Sequence, residues 1–351
     1  MTVVLVSGAA GVVGRHTIAR LAERPDVERV VAFDRRRVPV EHPKITTQLV
    51  DLGDPAQLPE VRDADVLVHL AFASASQRRR SATDVNLGGT RRLLSVADAI
   101  GVDHVVNVSS ATVYGAWPNN PLPITEAMAL RPVPALAYAV QKAQVEQLVG
   151  DWVDAAPGRT AAVLRPCTSL SEYGSSWLSR ALAAGHGVLA PEEDPPAQFL
   201  HLDDLLSAVE LAVVQRLDGP YNVAPDGWID GATVRELAGR TATVRPPAWF
   251  LHWIARVRWR LQRGPIPPGL LPYLSHPWLV ANDRLRAAGW APTVTNEQAY
   301  VAGTEARWWQ VMTPQRRQEL ALAGSAVAAL GAVIATAAGV RAVLRRRSAR
   351  R

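Results

Sequence analysis

A single cysteine, Cys167, stands in 351 residues. That excludes an internal disulfide framework and points to a reducing compartment. The eight histidines show no metal-ligand spacing, so no metal site is expected. No internal repeat is visible, and no signal-peptide pattern opens the chain, because Met1 leads straight into strand-like residues. No acid offsets Arg341, Arg345, Arg346, Arg347, Arg350 and Arg351 at the far end. Without those six, 32 basic residues face 32 acidic ones, so the formal charge of +6 does not mark a nucleic-acid binder. The 48% hydrophobic content excludes disorder and supplies a real core.

Charge is also missing from residues 320–340, a run of 21 ending just before those arginines. That length can cross a bilayer core, although its Ala and Gly content would make insertion weak. A spanning helix would export a basic tail against the usual bias, whereas a helix lying in the interface would not. The plainer alternative is packing against the body or a partner. The expectation is a cytoplasmic catalytic body held at the membrane by this segment.

Along residues 1–165, short apolar runs alternate with helical patterns. The sequence predicts strands at 3–7, 30–34, 48–50, 66–70, 104–109 and 160–166, and helices at 12–23, 85–100 and 135–152. Uninterrupted apolar strands separated by helices mean a parallel sheet covered on both faces, with ligands at the carboxyl ends of its strands. The fold class is therefore α/β: a Rossmann-type doubly wound sheet over 1–165, a smaller mixed α/β lobe over 166–318 that sends segments back to it, and a C-terminal apolar helix with a basic tail over 319–351. The second half is less regular. A helix is expected at 202–215, and Thr233 with Glu236 has the spacing of a capping box. Eight of the eleven tryptophans lie from Trp228 onward. The stretch 247–263 mixes aromatic residues with arginines, as an amphipathic helix over a core or a lid would.

Three pieces carry chemistry. Gly8, Gly11 and Gly14 follow a strand and open a helix, the context in which spaced glycines cradle a pyrophosphate against a helix N-terminus. Asp34 ends the second strand 20 residues past Gly14. Its carboxylate could accept from adenosine ribose hydroxyls and would repel a 2′-phosphate, which favours NAD. Arg35, Arg36 and Arg37 could neutralise that phosphate, so NADP stays open. Finally, Tyr138 and Lys142 stand one helical turn apart, on one face. A free phenol, with pKa about 10, is a poor base at neutral pH. The Lys142 ammonium and an oxidised nicotinamide would both stabilise its phenolate. Asn86 reads either as a structural residue or as a cofactor neighbour. Asp203 and Asp204 read as caps of their helix, and Cys167 as a buried small side chain.

Taken in order, these pieces resemble the extended short-chain dehydrogenases/reductases of the NAD-dependent epimerase/dehydratase family. Asp51-Leu52-Gly53-Asp54, His69-Leu70-Ala71, Asn86-Leu87-Gly88-Gly89-Thr90, Ser109-Ser110-Ala111-Thr112-Val113-Tyr114-Gly115, Tyr138 with Lys142, and Leu164-Arg165-Pro166 match that pattern. So do Phe199-Leu200-His201-Leu202-Asp203-Asp204 and Tyr221-Asn222-Val223; the match spans about residues 1–300. The resemblance implies that Asp51 and Leu52 border the adenine, that Leu70 and Ala71, with Pro166, line the cofactor cleft, and that Ser110, Tyr138 and Lys142 are catalytic. Thr112 is a second candidate for the substrate oxygen. A homodimer is a family expectation.

The reaction expected is hydride movement between nicotinamide and a hydroxyl or ketone carbon of a small-molecule substrate, in the manner of sugar-nucleotide epimerases and dehydratases. Thr112-Val113 offers no extra acid/base pair, which argues against a dehydratase. Thr168 stands where sugar-nucleotide epimerases commonly carry an asparagine. A membrane-associated dehydrogenase of a lipophilic, sterol-like alcohol and a non-catalytic dinucleotide sensor are the other readings.

Overall fold

The structure, a computed structural model, describes residues 1–73, 83–185, 195–238 and 268–304, with single positions 249, 250, 253, 256 and 257 between the last two stretches. The strands β1 (Thr2–Ser7), β2 (Val27–Asp34), β3 (Ile45–Leu49), β4 (Val66–His69), β5 (His104–Val108), β6 (Thr160–Pro166) and β9 (Gly219–Val223) form one sheet, ordered β3-β2-β1-β4-β5-β6-β9. Every pairing in it is parallel. The order reverses between β1 and β4, and a cleft opens there at the carboxyl ends of the strands, as the sequence predicted.

Strand alternation fills two cores. Val4 and Val6 of β1 join Ile18 and Leu21 of α1 (Val12–Glu23) and Leu205, Val209 and Ala212 of α5 (Leu202–Gln215) on one face. Val3 and Leu5 join Leu93 and Ala97 of α2 (Gly89–Ala99) and Val149 and Trp152 of α3 (Ala137–Asp154) on the other. Leu5 and Leu67 are fully buried, and each such side chain stabilises the fold by about 2 kcal/mol. This double burial gives the central strands their apolar runs, Val3–Val6 of β1 and Val66–Val68 of β4.

Beyond β6, the short parallel pair β7 (Thr168–Leu170) and β8 (Phe199–His201) packs with α4 (Trp177–Gly185) and α9 (Asn296–Gly303). The remaining short helices are α6 (Gly231–Leu237), α7 (Leu271–Ser275) and α8 (Asp283–Ala287). Residues 1–304 form one compact unit.

Several local expectations are corrected. The helix expected at 85–100 begins as a π-turn (Asp84–Gly88) and becomes α-helical only at Gly89, where Gly88-Gly89 removes side-chain constraint. Asp230, not Thr233, caps α6: its Oδ1 accepts the Thr233 N–H at 2.7 Å. A full capping box does occur, at Thr295 and Gln298. The cap of α5 is His201, whose Nδ1 accepts the Asp203 N–H at 3.2 Å. Asp203 instead pairs with Arg20 of α1 at 2.9 Å, and buried Asp204 accepts from Thr293 and Val294. The apolar segment 320–340 and the basic tail lie outside the described residues. No helix among the described residues is long and apolar enough to cross a membrane.

Candidate active site

The glycine turn is built by close approach. Gly8 has φ +74°, and a Cβ there would lie 2.6 Å from the Ala71 nitrogen. A Cβ on Gly14 would strike the Gly8 carbonyl and come 2.7 Å from the Ala9 Cα. Gly11 is less confined by protein, with 3.3 Å from its Cβ position to the Gly8 oxygen, and it faces the cleft. A buried strut fixes the facing segment. Ser7 Oγ accepts from the Leu70 and Ala71 N–H groups at 3.2 and 3.3 Å and donates to His69 Nδ1 at 2.7 Å. His69 Nε2 in turn donates to Thr90 Oγ1 at 2.9 Å, and that hydroxyl donates to the Asn86 carbonyl. The chain of donors leaves room for the neutral imidazole only, and burial with the nearby Lys142 charge pushes His69 down to about 3.

Two cavities share Gly8, Gly11, Leu70 and Phe72 as walls. The first, about 270 Å³, is lined by Asp34, Arg35, Arg36, Asp51, Leu52 and Ala71. Asp34 Oδ2 accepts the Ala10 N–H at 3.2 Å, and Oδ1 accepts the Arg36 N–H at 3.0 Å. The Arg36 guanidinium is 3.6 Å from the same carboxylate. Asp51 turns its own backbone by accepting the Gly53 N–H at 2.8 Å. Asn86 holds the rim, accepting the Ala73 N–H at 2.7 Å and donating to the Ala73 carbonyl at 3.1 Å and Gln141 at 2.8 Å.

The second cavity, about 300 Å³, brings together Gly14, Ser110, Thr112, Tyr138, Lys142 and Pro166. Ser110 follows β5 and caps the 3-10 turn Ala111–Tyr114. Its Oγ accepts from the Thr112 N–H at 3.2 Å and from Thr112 Oγ1 at 3.0 Å, which leaves its proton for another acceptor. Thr112 therefore supports Ser110. Burial pushes Tyr138 up to about 12, and a hydrogen bond from Ser110 works against that. Burial also pulls Lys142 down to about 7, opposed by the charge of Glu146. The Lys142 ammonium donates to the Val108 carbonyl at 2.7 Å.

Sequence reasoning missed two neighbours. The Phe72 ring covers Lys142 Nζ at 4.2 Å and meets the Tyr138 ring edge-on at 5.1 Å. Glu146, one turn beyond Lys142, is buried with Arg165. Cys167 is buried, as expected, and lines this cavity. No metal-binding cluster occurs among the described residues.

A parallel sheet whose order reverses above a glycine turn, with an acid at the end of β2 and a phenol and ammonium across the cleft, defines a dinucleotide-dependent oxidoreductase. The description "NAD dependent epimerase/dehydratase family" matches residues 4–224, and the chain belongs to that family. It is therefore an enzyme of an NAD-dependent family. The chain is 27% identical over 319 residues to the uncharacterized protein Rv0501 of Mycobacterium tuberculosis, covering 85% of this chain and 82% of that one. It is 28% identical over 332 residues to a UDP-glucose 4-epimerase of Rhizobium leguminosarum bv. trifolii, covering 82% and 92%. Among solved structures, the Thermus thermophilus UDP-glucose 4-epimerase complex with NAD superposes with a TM-score of 0.63 at 22% identity, covering 86% of this chain and 97% of that one.

Proposed function

We propose that this cleft oxidises a hydroxyl-bearing carbon of a sugar nucleotide and returns the hydride, as an epimerase does. What supports this reading is one observation: the Tyr138 phenol and Lys142 ammonium share a cavity wall with Gly8 and Gly11, beside a second cavity walled by Asp34 and Asp51. The glycine turn fits a dinucleotide, because side chains are excluded at Gly8 and Gly14 by backbone and Gly11 presents bare backbone to the cleft. Gly8, Gly11 and Gly14 would hold the pyrophosphate, Asp34 the adenosine ribose, Asp51, Leu52, Leu70 and Ala71 the adenine side, and Lys142 with Pro166 the nicotinamide end. NAD, when bound, supplies the hydride acceptor and a positive ring. Tyr138 takes the proton from the substrate hydroxyl and later gives it back. Ser110 donates to the same oxygen and fixes its position. Lys142 favours the phenolate through its charge.

Purified protein incubated with NAD and a panel of UDP-sugars, assayed for change of configuration, tests this. Tyr138→Phe retains NAD binding and loses turnover; equal turnover by that variant would sink the assignment. The domain boundaries at 165 and 318 and a homodimer belong to the same reading, the latter checked by light scattering. We also infer that residues 320–340 hold a cytoplasmic body at the membrane. Their length without charge supports this, and so do Trp249 and Trp253, which are exposed. Release of intact protein by a carbonate wash would rule out a span.

A further inference from the structure

Tyr138, Lys142 and Glu146 recur every four residues along α3, so they share one face. That face is buried: Lys142 is 6% and Glu146 8% exposed. A solvated Lys–Glu pair at this spacing is a minor surface feature. Here the carboxylate is instead fully engaged by other elements. Arg165 of β6 reaches it through Nη2 at 2.7 Å and Nε at 3.1 and 3.2 Å, and Ser109 Oγ donates to it at 2.5 Å. Ser109 adjoins Ser110, so one carboxylate touches both the serine segment and the helix that carries the phenol and ammonium. Arg165 is held in turn by donating to the Tyr114 hydroxyl at 2.7 Å, which donates to Asn222 at 2.9 Å.

We propose that Glu146 is a positioning residue for the Tyr138–Lys142 pair: locked by Arg165 and Ser109, its negative charge keeps Lys142 an ammonium facing the cleft. The charged and titratable groups around Lys142 are few among the described residues. Tyr138 and Glu146 stand on its own helix, neutral His69 ends β4, and Arg165 lies on β6 behind Glu146. Of these, Glu146 alone favours the charged lysine, against a burial that brings Lys142 to about 7. Buried on the same helix face and fixed in place by Arg165 and Ser109, its carboxylate opposes that burial penalty. The consequence for turnover rests on the function proposed above; the charge effect itself does not.

The sequence provides a direct readout, because it contains two lysines, Lys44 and Lys142. Lysine labelled with 13C at Cε in the full chain gives two NMR signals, with Lys44 as internal reference. Glu146→Gln alone leaves Arg165 buried and unpaired, so E146Q/R165M, which removes both charges, is titrated beside it. The Lys142 midpoint should fall by about one pH unit or more in either folded variant. E146D retracts the charge by one methylene, keeps Arg165 paired, and should give an intermediate midpoint. The alkaline limb of the turnover profile should move with the midpoint. An unmoved midpoint in the folded variants, with only thermal stability lost, reduces Glu146 to a structural clamp and overturns the proposal. Retained turnover in Tyr138→Phe would sink the function while leaving the midpoint result standing.

Discussion

Alanine at Gly14 and alanine at Gly11 should fail in opposite ways. At Gly14 the added carbon meets backbone on three sides: the Gly8 carbonyl oxygen, the Gly8 carbon at 2.9 Å and the Ala9 Cα at 2.7 Å. No rotamer change relieves backbone contacts, so α1 must lift away from the β1 turn. Overpacking of this kind costs about 1–3 kcal/mol, and the upper part of that range applies because nothing flexible can give. Helix propensity returns about 1 kcal/mol of it. The net loss is about 2 kcal/mol, a fall of roughly 5 °C in melting temperature. At Gly11 the added carbon has 3.3 Å to the Gly8 oxygen and a backbone at φ −70° that alanine accepts. The cost there is the weaker helix cap, about 1 kcal/mol at most. The methyl group, however, enters the wall shared by both cavities. Urea melts followed by tryptophan fluorescence should therefore show Gly14→Ala destabilised and Gly11→Ala nearly normal. NAD titration should show at least about tenfold weaker binding for Gly11→Ala, the equivalent of about 1.4 kcal/mol. If Gly11→Ala bound NAD normally, or Gly14→Ala melted with the parent, the assignment of these glycines would be wrong.

Acid should destabilise the fold through two buried histidines. His104 is pushed down to about 4 by burial and His69 to about 3. A folded value below the unfolded one means that their stabilisation is complete above about 6.5 and is lost as pH falls through the folded values, at about 1.4 kcal/mol per unit for each group. Urea midpoints measured between pH 7 and 5 should fall, and His104→Gln should flatten the slope. Cys167 is buried and its thiol is pushed well up by burial; a thiol reagent should label the chain only on unfolding, and rapid labelling of native protein would contradict the packing. Lys142→Arg places a bulkier guanidinium between the Val108 carbonyl and the Phe72 ring. Turnover should drop by about 100-fold or more, and near-normal turnover would mean that positive charge alone suffices. Arg165→Met by itself leaves Glu146 buried without its partner, which should cost about 3–5 kcal/mol in denaturant melts.

The sheet was legible because its central strands are buried on both faces and so carry apolar runs, as in Val3 to Val6 and Val66 to Val68. The glycines were legible for a similar reason, since backbone contact at Gly8 and Gly14 admits no other residue. Phe72 was not. A single aromatic residue after a strand has no periodicity, and only the folded chain brings it over Lys142. Glu146 was hidden by its spacing, because a carboxylate four residues after a lysine reads as a solvated pair until β6 brings Arg165 against it. Capping was misassigned wherever a competing donor or acceptor sat nearby: Asp230 reaches the Thr233 N–H before Thr233 can act as a cap, and Asp204 turns to Thr293 and Val294.

The charges around the cleft are arranged in layers, and that order bears on when the site becomes reactive. Facing the cavity are groups that burial drives toward neutrality: Tyr138 upward, Lys142 downward. Behind them stands a fixed ion pair, Glu146 with Arg165, at 2.7 Å and sealed from water. An ion pair so placed adds little net charge at a distance, yet the Glu146 charge still acts on Lys142. Burial therefore favours the protonated phenol in the chain alone, and the acid–base role proposed for it would depend on a positive charge brought beside it. Changes to the rear layer should then alter the pH at which the site works before they alter what it binds. That separates Glu146 from Gly11 and Asp34, whose loss should weaken NAD binding at every pH.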